Sequence, residues 1–274
     1  MEAPTAGSII LASVLLKLGV YGILRFVLGL FPDAVAEYNY LIIAFAIFGL
    51  FYSSMCAATE TDCKRIIALS SIGHMSLTVA GIFICEPKAI YGAIYMMIGH
   101  AITSLGLFFM IGILYSRTGT RDISMYGGLS TVMPVFSTIL FIFIMFNSGF
   151  PVSISFLGEL HLMTALMQGL SLPATFIIIV SSCVHLYSQL RLFYALCFGS
   201  PSPYKVVPTT TDLDFQEVFV LVTALLSALT LFFFSCHFFW PFEMGYLGEY
   251  LYSAEQALYG AKSGLPRNLS KFYH

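Results

Sequence analysis

Charged residues are scarce in this chain, and their scarcity decides its class. Asp, Glu, Lys and Arg make up 9% of the 274 residues and hydrophobic residues 58%, whereas about 25% of a typical soluble domain is charged. The mean hydropathy is +0.89. A protein of this composition has too few polar side chains for most of its surface to face water. The composition therefore excludes a soluble globular protein and predicts a polytopic membrane protein.

Several motifs that would carry chemistry are also absent from the sequence. There is no GxGxxG or GxxxxGK[ST] nucleotide fingerprint, and the six cysteines show no CxxC or CxxH spacing for zinc or an iron–sulfur cluster. The net charge of −2 gives no basic surface for nucleic acid. We therefore expect no metal, no cofactor and no nucleic-acid partner for this chain, and membrane lipids around it.

Seven apolar stretches are long enough to cross a bilayer, which takes about 20 residues in a helix. They are 6–31, 39–58, 66–85, 89–115, 131–170, 173–198 and 216–240. The fifth contains "FNSGFPVSIS", whose Asn147, Gly149 and Pro151 interrupt a helix. We predict an all-α protein of about seven transmembrane helices, one of them discontinuous, with halves at 131–146 and 154–170. Broken helices at membrane depth point to ion or substrate sites.

The basic residues of the links predict the orientation. Lys88 lies in a link on one side, whereas five basic residues lie in or beside the links of the other side: Lys64, Arg65, Arg117, Arg121 and Lys205. By the positive-inside rule, the side with five basic residues faces the cytoplasm or the mitochondrial matrix.

The last part of the chain differs from the rest in composition. Residues 1–240 form the predicted transmembrane domain, and the tail 241–274 is less apolar. Within that tail, "LGEYLYSAEQALYGAK" spaces its apolar residues as a helix does. This spacing predicts a helix that lies on the membrane surface or packs against a partner subunit.

Five ionisable side chains fall well inside the predicted spans. They are Lys17, His74, His100, Glu159 and His185. A charge at the centre of a membrane helix costs roughly 2.5–3.5 kcal/mol even on the gentlest scale, so each is a candidate functional residue. We expect Lys17, His74, His100 and Glu159 to act as a proton relay. A structural interpretation, as a core histidine, is favoured for His185.

Each of the four relay candidates also has a structural alternative. Lys17 could be the buried partner of a carboxylate, and Glu159 could cap the second half of the broken helix. His74 and His100 could be hydrogen-bonded core residues, although imidazoles that titrate near neutral pH suit stepwise proton passage. A row of Lys, His, His and Glu in a lipid-embedded bundle favours conduction of protons, or their exchange for a cation.

Four segments carry a resemblance to a known family: "EAPTAGSIILASVLLKLGVYGILRF", "TDCKRIIALSSIGHMSL", "GHAITSLGLFFMIGILYSRTGTRDISMYGGL" and "FLGELHLM". From residue 2 to about 240, the chain resembles the antiporter-like chain 4 family of NADH–ubiquinone oxidoreductase, respiratory complex I. That family has two inverted repeats of five helices, each with a broken helix. The resemblance implies that Lys17 is the central lysine, His74 and His100 are the connecting histidines, and Glu159 is the terminal glutamate.

The resemblance also implies an activity and its surroundings. Protons would be pumped by a subunit of a translocating NADH:ubiquinone reductase, driven by quinone reduction elsewhere in the complex. NADH, FMN, iron–sulfur clusters and ubiquinone would be bound by other subunits. The partners would be the other subunits of the membrane arm. The location would be the mitochondrial inner membrane, with the chain encoded in the organelle.

One departure from the family concerns the first half of the fold. In the family, roughly half the protein precedes "EAPTAGS", whereas here Met1 stands immediately before Glu2. The chain holds the second repeat and the last helix of the first, so we expect a split subunit whose other half is a separate chain. Two alternatives stay open: a subunit of a multi-subunit cation/proton antiporter, and a non-conducting structural module of the membrane arm.

Overall fold

The structure, a computed structural model, describes residues 4–199 and 211–235. Helices and short links make up these two ranges, and no strand longer than an isolated bridge occurs in them. The helices are α1 (Thr5–Leu30), α2 (Pro32–Thr59), α3 (Cys63–Ile84), α4 (Pro87–Thr118), α5 (Leu129–Val132), α6 (Pro134–Asn147), α7 (Ile154–Gly169), α8 (Leu172–Cys197) and α9 (Phe215–Phe234). The prediction of an all-α fold is confirmed.

Six of these helices are long and apolar enough to cross a membrane: α1, α2, α3, α4, α8 and α9. Helices α6 and α7 have 14 and 16 residues, so each is shorter than a full span. Together they form the predicted discontinuous helix, which brings the spans to seven. The predicted end of the last span at 240, the tail 241–274 and Lys205 lie outside the described residues.

Most helix ends follow from local chemistry. Proline occupies one of the first two positions of α2, α4, α6 and α8, where its missing N–H costs no hydrogen bond. The second span begins at Pro32 rather than at 39, because Asp33 in its first turn suits the positive end of the helix dipole. Asp62 caps α3 by accepting hydrogen bonds from the backbone N–H groups of Lys64 and Arg65.

The break between α6 and α7 is a tight and partly strained turn. Gly149 has a φ of +70° and Val152 a φ of +86°. Glycine adopts this conformation at little cost, whereas a β-branched residue there is strained. The Ser153 hydroxyl accepts a hydrogen bond from the N–H of Phe156, at 3.1 Å, and so starts α7. Strain of this kind concentrates at functional sites.

Helix α4 is the centre of the bundle and packs against α1, α3, α6, α7 and α9. Its approach to α7 is close because small residues line the seam. A methyl group on Gly158 would lie 2.7 Å from the Met96 amide nitrogen, and one on Gly92 would lie 3.0 Å from that of Leu162. Such seams let membrane helices approach backbone to backbone. This contact brings the middle of α4 beside the first turns of α7.

Candidate functional site

Four helices contribute one ionisable side chain each to a continuous row. The Nζ atom of Lys17 on α1 lies 2.9 Å from Nδ1 of His100 on α4. The ring centroid of His100 lies 5.3 Å from that of His74 on α3. Nδ1 of His74 in turn lies 3.4 Å from Oε1 of Glu159 on α7. The structure thus brings together all four residues that the sequence singled out, in the order Lys17, His100, His74, Glu159.

Lys17 lies next to an irregular turn of its own helix. The segment Leu11–Leu15 is a π-helical turn, and a second one, Ile23–Val27, follows after the seven α-helical residues Leu16–Gly22. The ammonium group donates a hydrogen bond to the carbonyl of Ala12, inside the first π turn. Single π turns within α-helices occur frequently at functional sites. Within residues 4–199 and 211–235, Lys17 forms no ion pair with a carboxylate, so the structural alternative of a buried carboxylate partner gains no support there.

The two histidines of the row are almost completely buried, with exposed fractions of 5% for His74 and 1% for His100. One nitrogen of each ring has a partner in the row, and the Nε2 atoms have no hydrogen-bond partner among the described residues. An ammonium group can only donate, so the His100 Nδ1 that faces Lys17 accepts and its Nε2 carries the hydrogen. Each ring therefore presents a second nitrogen through which a proton can enter or leave.

Glu159 is built into the break of the discontinuous helix. A Cβ atom on Gly149 would occupy the position of the Glu159 carboxylate, so only glycine leaves room for that group. The side chain of Glu159 is 22% exposed. The cap of α7 is Ser153, not Glu159. The capping alternative for Glu159 therefore has no support in this geometry.

His185 on α8 lies in contact with the row, although sequence reasoning favoured a structural interpretation of it. Its ring packs edge-on against that of His74, with centroids 4.5 Å apart. The backbone of Asn147, the last residue of α6, lies beside both rings. The side-chain amide nitrogen of Asn147, Nδ2, donates to Oγ of Ser70 at 3.4 Å. In the sequence, the signal for His185 is that Gln189 follows it four residues later. This spacing places two polar side chains on the same face of α8.

His161, by contrast, points away from the row, as its two-residue offset from Glu159 predicts. Its Nδ1 lies 2.7 Å from the carbonyl oxygen of Leu157, and its ring lies 5.8 Å from that of Tyr95.

Sequence reasoning also missed Arg191 on α8. Its guanidinium group donates a hydrogen bond to the carbonyl of Ala58, at the end of α2.

Four of the described basic link residues lie at one end of the bundle, namely Lys64, Arg65, Arg117 and Arg121, and Lys88 lies at the other end, at the start of α4. Two links pair there, because the N–H of Cys63 donates to the Arg121 carbonyl at 3.0 Å and that of Ile123 donates to the Thr61 carbonyl at 2.9 Å. Arg117 at the end of α4 reaches Glu217 on α9 at 2.5 Å. We call this end of the bundle the basic end. The position of these basic residues agrees with the grouping of charges in the sequence, from which the orientation is predicted.

Tyr126 completes the packing of the basic end. Its hydroxyl lies 2.6 Å from that of Thr118 and donates to the Thr120 carbonyl at 2.7 Å. Burial raises the pKa of Tyr126, so the phenol stays protonated and keeps donating. The link that follows α4 is thereby held against α4 itself.

Comparison with known proteins identifies relatives of the chain. A family profile described as NADH:quinone oxidoreductase/Mrp antiporter, transmembrane, matches residues 1–185, which include the whole row and His185. NADH-ubiquinone oxidoreductase chain 4 of Acanthamoeba castellanii is 40% identical over 197 residues, which are 71% of this chain and 40% of that protein. The protein of the same name from Marchantia polymorpha is 38% identical over 222 residues, or 81% of this chain and 44% of that protein.

A solved structure shows the same fold. One chain in the respiratory complex I of Thermus thermophilus with bound NADH superposes with a TM-score of 0.75 at 24% identity. The match covers 90% of this chain and 49% of that one. This chain thus spans less than half the length of the two curated relatives described above, and about half of the chain in the solved complex.

Proposed function

Since the chain belongs to the NADH:quinone oxidoreductase/Mrp antiporter transmembrane family, we propose that it translocates protons as a membrane-arm subunit of an NADH:ubiquinone oxidoreductase, respiratory complex I. One observation carries the proposal. Lys17, His100, His74 and Glu159 come from four different helices and still form an unbroken row at membrane depth. Ionisable groups in that setting are costly, so their alignment needs a function.

The row suits transfer in short steps. A proton on the Lys17 ammonium group can pass to Nδ1 of His100, which lies within hydrogen-bond distance. His100 can then release a proton from its Nε2 toward His74. His74 can deliver one from Nδ1 to the carboxylate of Glu159. An imidazole takes up a proton on one nitrogen and releases one from the other, so charge moves while the rings stay in place.

The proposal also includes the setting of this function. Four of the expectations derived from the sequence belong to the proposal: other membrane-arm subunits as partners, redox cofactors bound elsewhere in the complex, the mitochondrial inner membrane as location, and 241–274 as a separate tail. The contribution of a second polypeptide that supplies the other half of the fold stays a prediction. Co-purification of such a chain with this one is the result that would support it.

The test of the proposal is Glu159→Gln in membranes that contain the assembled complex. Glutamine keeps the volume of the side chain but cannot accept and release a proton. We expect proton pumping per assembled complex to fall by roughly tenfold or more, since proton transfer by a positioned side chain contributes about 10²–10⁴-fold to a rate. His161→Gln is the matched control, two residues away on another face of α7. Unchanged pumping in a fully assembled Glu159→Gln complex would refute the relay.

A second candidate function is cation/proton exchange, which the family description also covers. It would use the same row, with a cation binding where a proton leaves. The two functions differ in their requirements. Pumping that depends on NADH oxidation and not on sodium supports the first, whereas proton uptake that requires sodium and proceeds without NADH supports the second.

A further inference from the structure

Gln189 is a buried amide whose surroundings leave it unsatisfied. Its exposed fraction is 0%, and neither its amide nitrogen nor its amide oxygen has a hydrogen-bond partner among the described residues. An amide can make up to four hydrogen bonds, and buried polar groups in native proteins are nearly always paired. A water molecule in the helix interface would supply the hydrogen bonds that this amide lacks within the described part of the chain.

The position of Gln189 relates it to the row described above. It lies four residues after His185, so both side chains occupy the same face of α8, about 6 Å apart at their Cβ atoms. Helix α8 packs against α2, α3 and α6. His185 in turn contacts His74, with ring centroids 4.5 Å apart. A polar line thus leaves the row at His74 and continues along α8 through His185 to Gln189.

This line runs toward the basic end of the bundle. The end of α8 is held there, because the hydroxyl of Ser130 donates to the Cys197 carbonyl at 2.7 Å in the part of the chain that follows the paired links. Arg191, two residues after Gln189, reaches the Ala58 carbonyl near the end of α2. From Gln189 to the end of α8 is about 12 Å of helix.

From His185 toward the start of α8, away from the basic end, the buried polar groups already have hydrogen-bond partners. Ser181 lies four residues before His185 and is also fully buried, but its hydroxyl donates to the carbonyl of its own helix at Ile177, at 2.7 Å. Thr78 on α3 likewise donates to the carbonyl of His74 at 2.8 Å. These two groups have their hydrogen bonds satisfied locally. The amide without hydrogen-bond partners in the described chain, that of Gln189, therefore lies between His185 and the basic end.

We propose that His185 and Gln189 form the route by which protons pass between His74 and the basic end of the bundle, with water held by the Gln189 amide as the carrier. This inference rests on the proposed function. The amide itself takes up no net proton. It accepts a hydrogen bond at Oε1 and donates through Nε2, and so orients a water molecule that gives one proton to the His185 imidazole and receives another from the basic end.

The test compares Gln189→Met with Ser188→Ala in membranes containing the assembled complex. Methionine has nearly the shape of glutamine and cannot bind water through an amide. Ser188 is fully buried on the same helix, but its hydroxyl already donates to the His185 carbonyl at 2.7 Å, so its removal leaves the route intact. The readouts are proton pumping per assembled complex and its slowing in D2O. Packing alone would not change the second.

The expected result is a loss of pumping of roughly tenfold in Gln189→Met, about the value of one hydrogen bond in a rate-limiting transfer step. We also expect a larger D2O effect, and neither change in Ser188→Ala. If Gln189→Met does not assemble, His185→Met is judged by the same two readouts. Pumping and isotope effect equal to those of Ser188→Ala would overturn the proposal.

The same measurements separate this inference from the proposed function. If Glu159→Gln abolishes pumping while Gln189→Met and His185→Met do not, the row stands and the route through α8 is wrong. If Glu159→Gln pumps normally in an assembled complex, the proposed function itself fails, and the route fails with it.

Discussion

The carboxylate of Glu159 fills the space that a side chain on Gly149 would need, since a Cβ atom there would overlap Oε2, so the break in the discontinuous helix and the acid of the row form one unit. Gly149 also has a φ of +70°, which side-chain-bearing residues rarely adopt. Two independent constraints therefore fix glycine at this position. One is the left-handed backbone, and the other is the space that the carboxylate fills.

We predict that Gly149→Ala impairs pumping through the second of these constraints. The added methyl group would displace the Glu159 carboxylate and lengthen the 3.4 Å contact with His74. Gly119→Ala is the matched control, because Gly119 has a φ of +72° and no atom within 4 Å of the new methyl group. Both variants bear a backbone cost of about 1–2 kcal/mol. Equal pumping per assembled complex in the two would show that the contact with Glu159 does not matter.

Replacement of Lys17 is expected to sharply impair function without lowering stability. Lys17→Met removes a half-buried charge whose partners in the described chain are a carbonyl oxygen and an imidazole nitrogen. We expect the assembled complex to be as stable or more stable, because an ammonium group at membrane depth costs free energy that methionine does not. Pumping should fall sharply, since His100 loses its proton donor.

The measurements for Lys17→Met are the amount and the thermal midpoint of the complex on native gels, together with pumping. Leu18→Met is the control, as Leu18 is the exposed neighbour of Lys17 on the same helix. A destabilised complex with a proportional loss of pumping would mean that Lys17 is structural.

Much of this site follows from the sequence, and the reasons are physical. The break could be predicted because Asn147, Gly149 and Pro151 interrupt an apolar run. The row could be predicted because lysine and glutamate are costly in lipid, so their presence is informative. Histidine and glutamine cost less there and give a weaker signal, which is why His185 was interpreted as structural and Gln189 was not singled out.

The order of the row could not be predicted in the same way. His100 lies between Lys17 and His74 because α4, not α3, is the central helix of the bundle. That arrangement depends on the close approach of α4 to α7, which in turn needs Gly92 and Gly158. Single glycines in an apolar run carry no such meaning until the facing helix is known.

The seam between α4 and α7 yields a prediction about stability. Gly158→Ala would place a methyl group 2.7 Å from the Met96 amide nitrogen, a backbone atom that cannot rotate away. Overpacking of this kind costs about 1–3 kcal/mol, so we expect a lower thermal midpoint and less assembled complex. Gly19→Ala, with no atom within 4 Å of its new methyl group, should raise stability by about 0.5–1 kcal/mol. Equal midpoints would show that the seam is not tight.

The ion pair between Arg117 and Glu217 is one of the contacts that hold α9 at the basic end. The guanidinium lies 2.5 Å from the carboxylate and also donates to the Thr211 carbonyl at 2.8 Å. The two side chains are 14% and 23% exposed, so water screens the pair only in part. Glu217 also accepts from the N–H of Asp214 at 3.0 Å, as the second half of a capping box.

Glu217→Gln therefore separates the two roles of this residue, because glutamine keeps the capping box but loses the charge. We expect it to lower the thermal midpoint of the complex, and by less than Arg117→Gln, which also loses the bond to Thr211. In the double variant the loss should be smaller than the sum of the two, by an interaction of about 1 kcal/mol. Strictly additive midpoints would mean that the interaction between the two side chains contributes nothing to the stability of the complex. Pumping is expected to follow the amount of assembled complex in all three variants, because the pair lies outside the row.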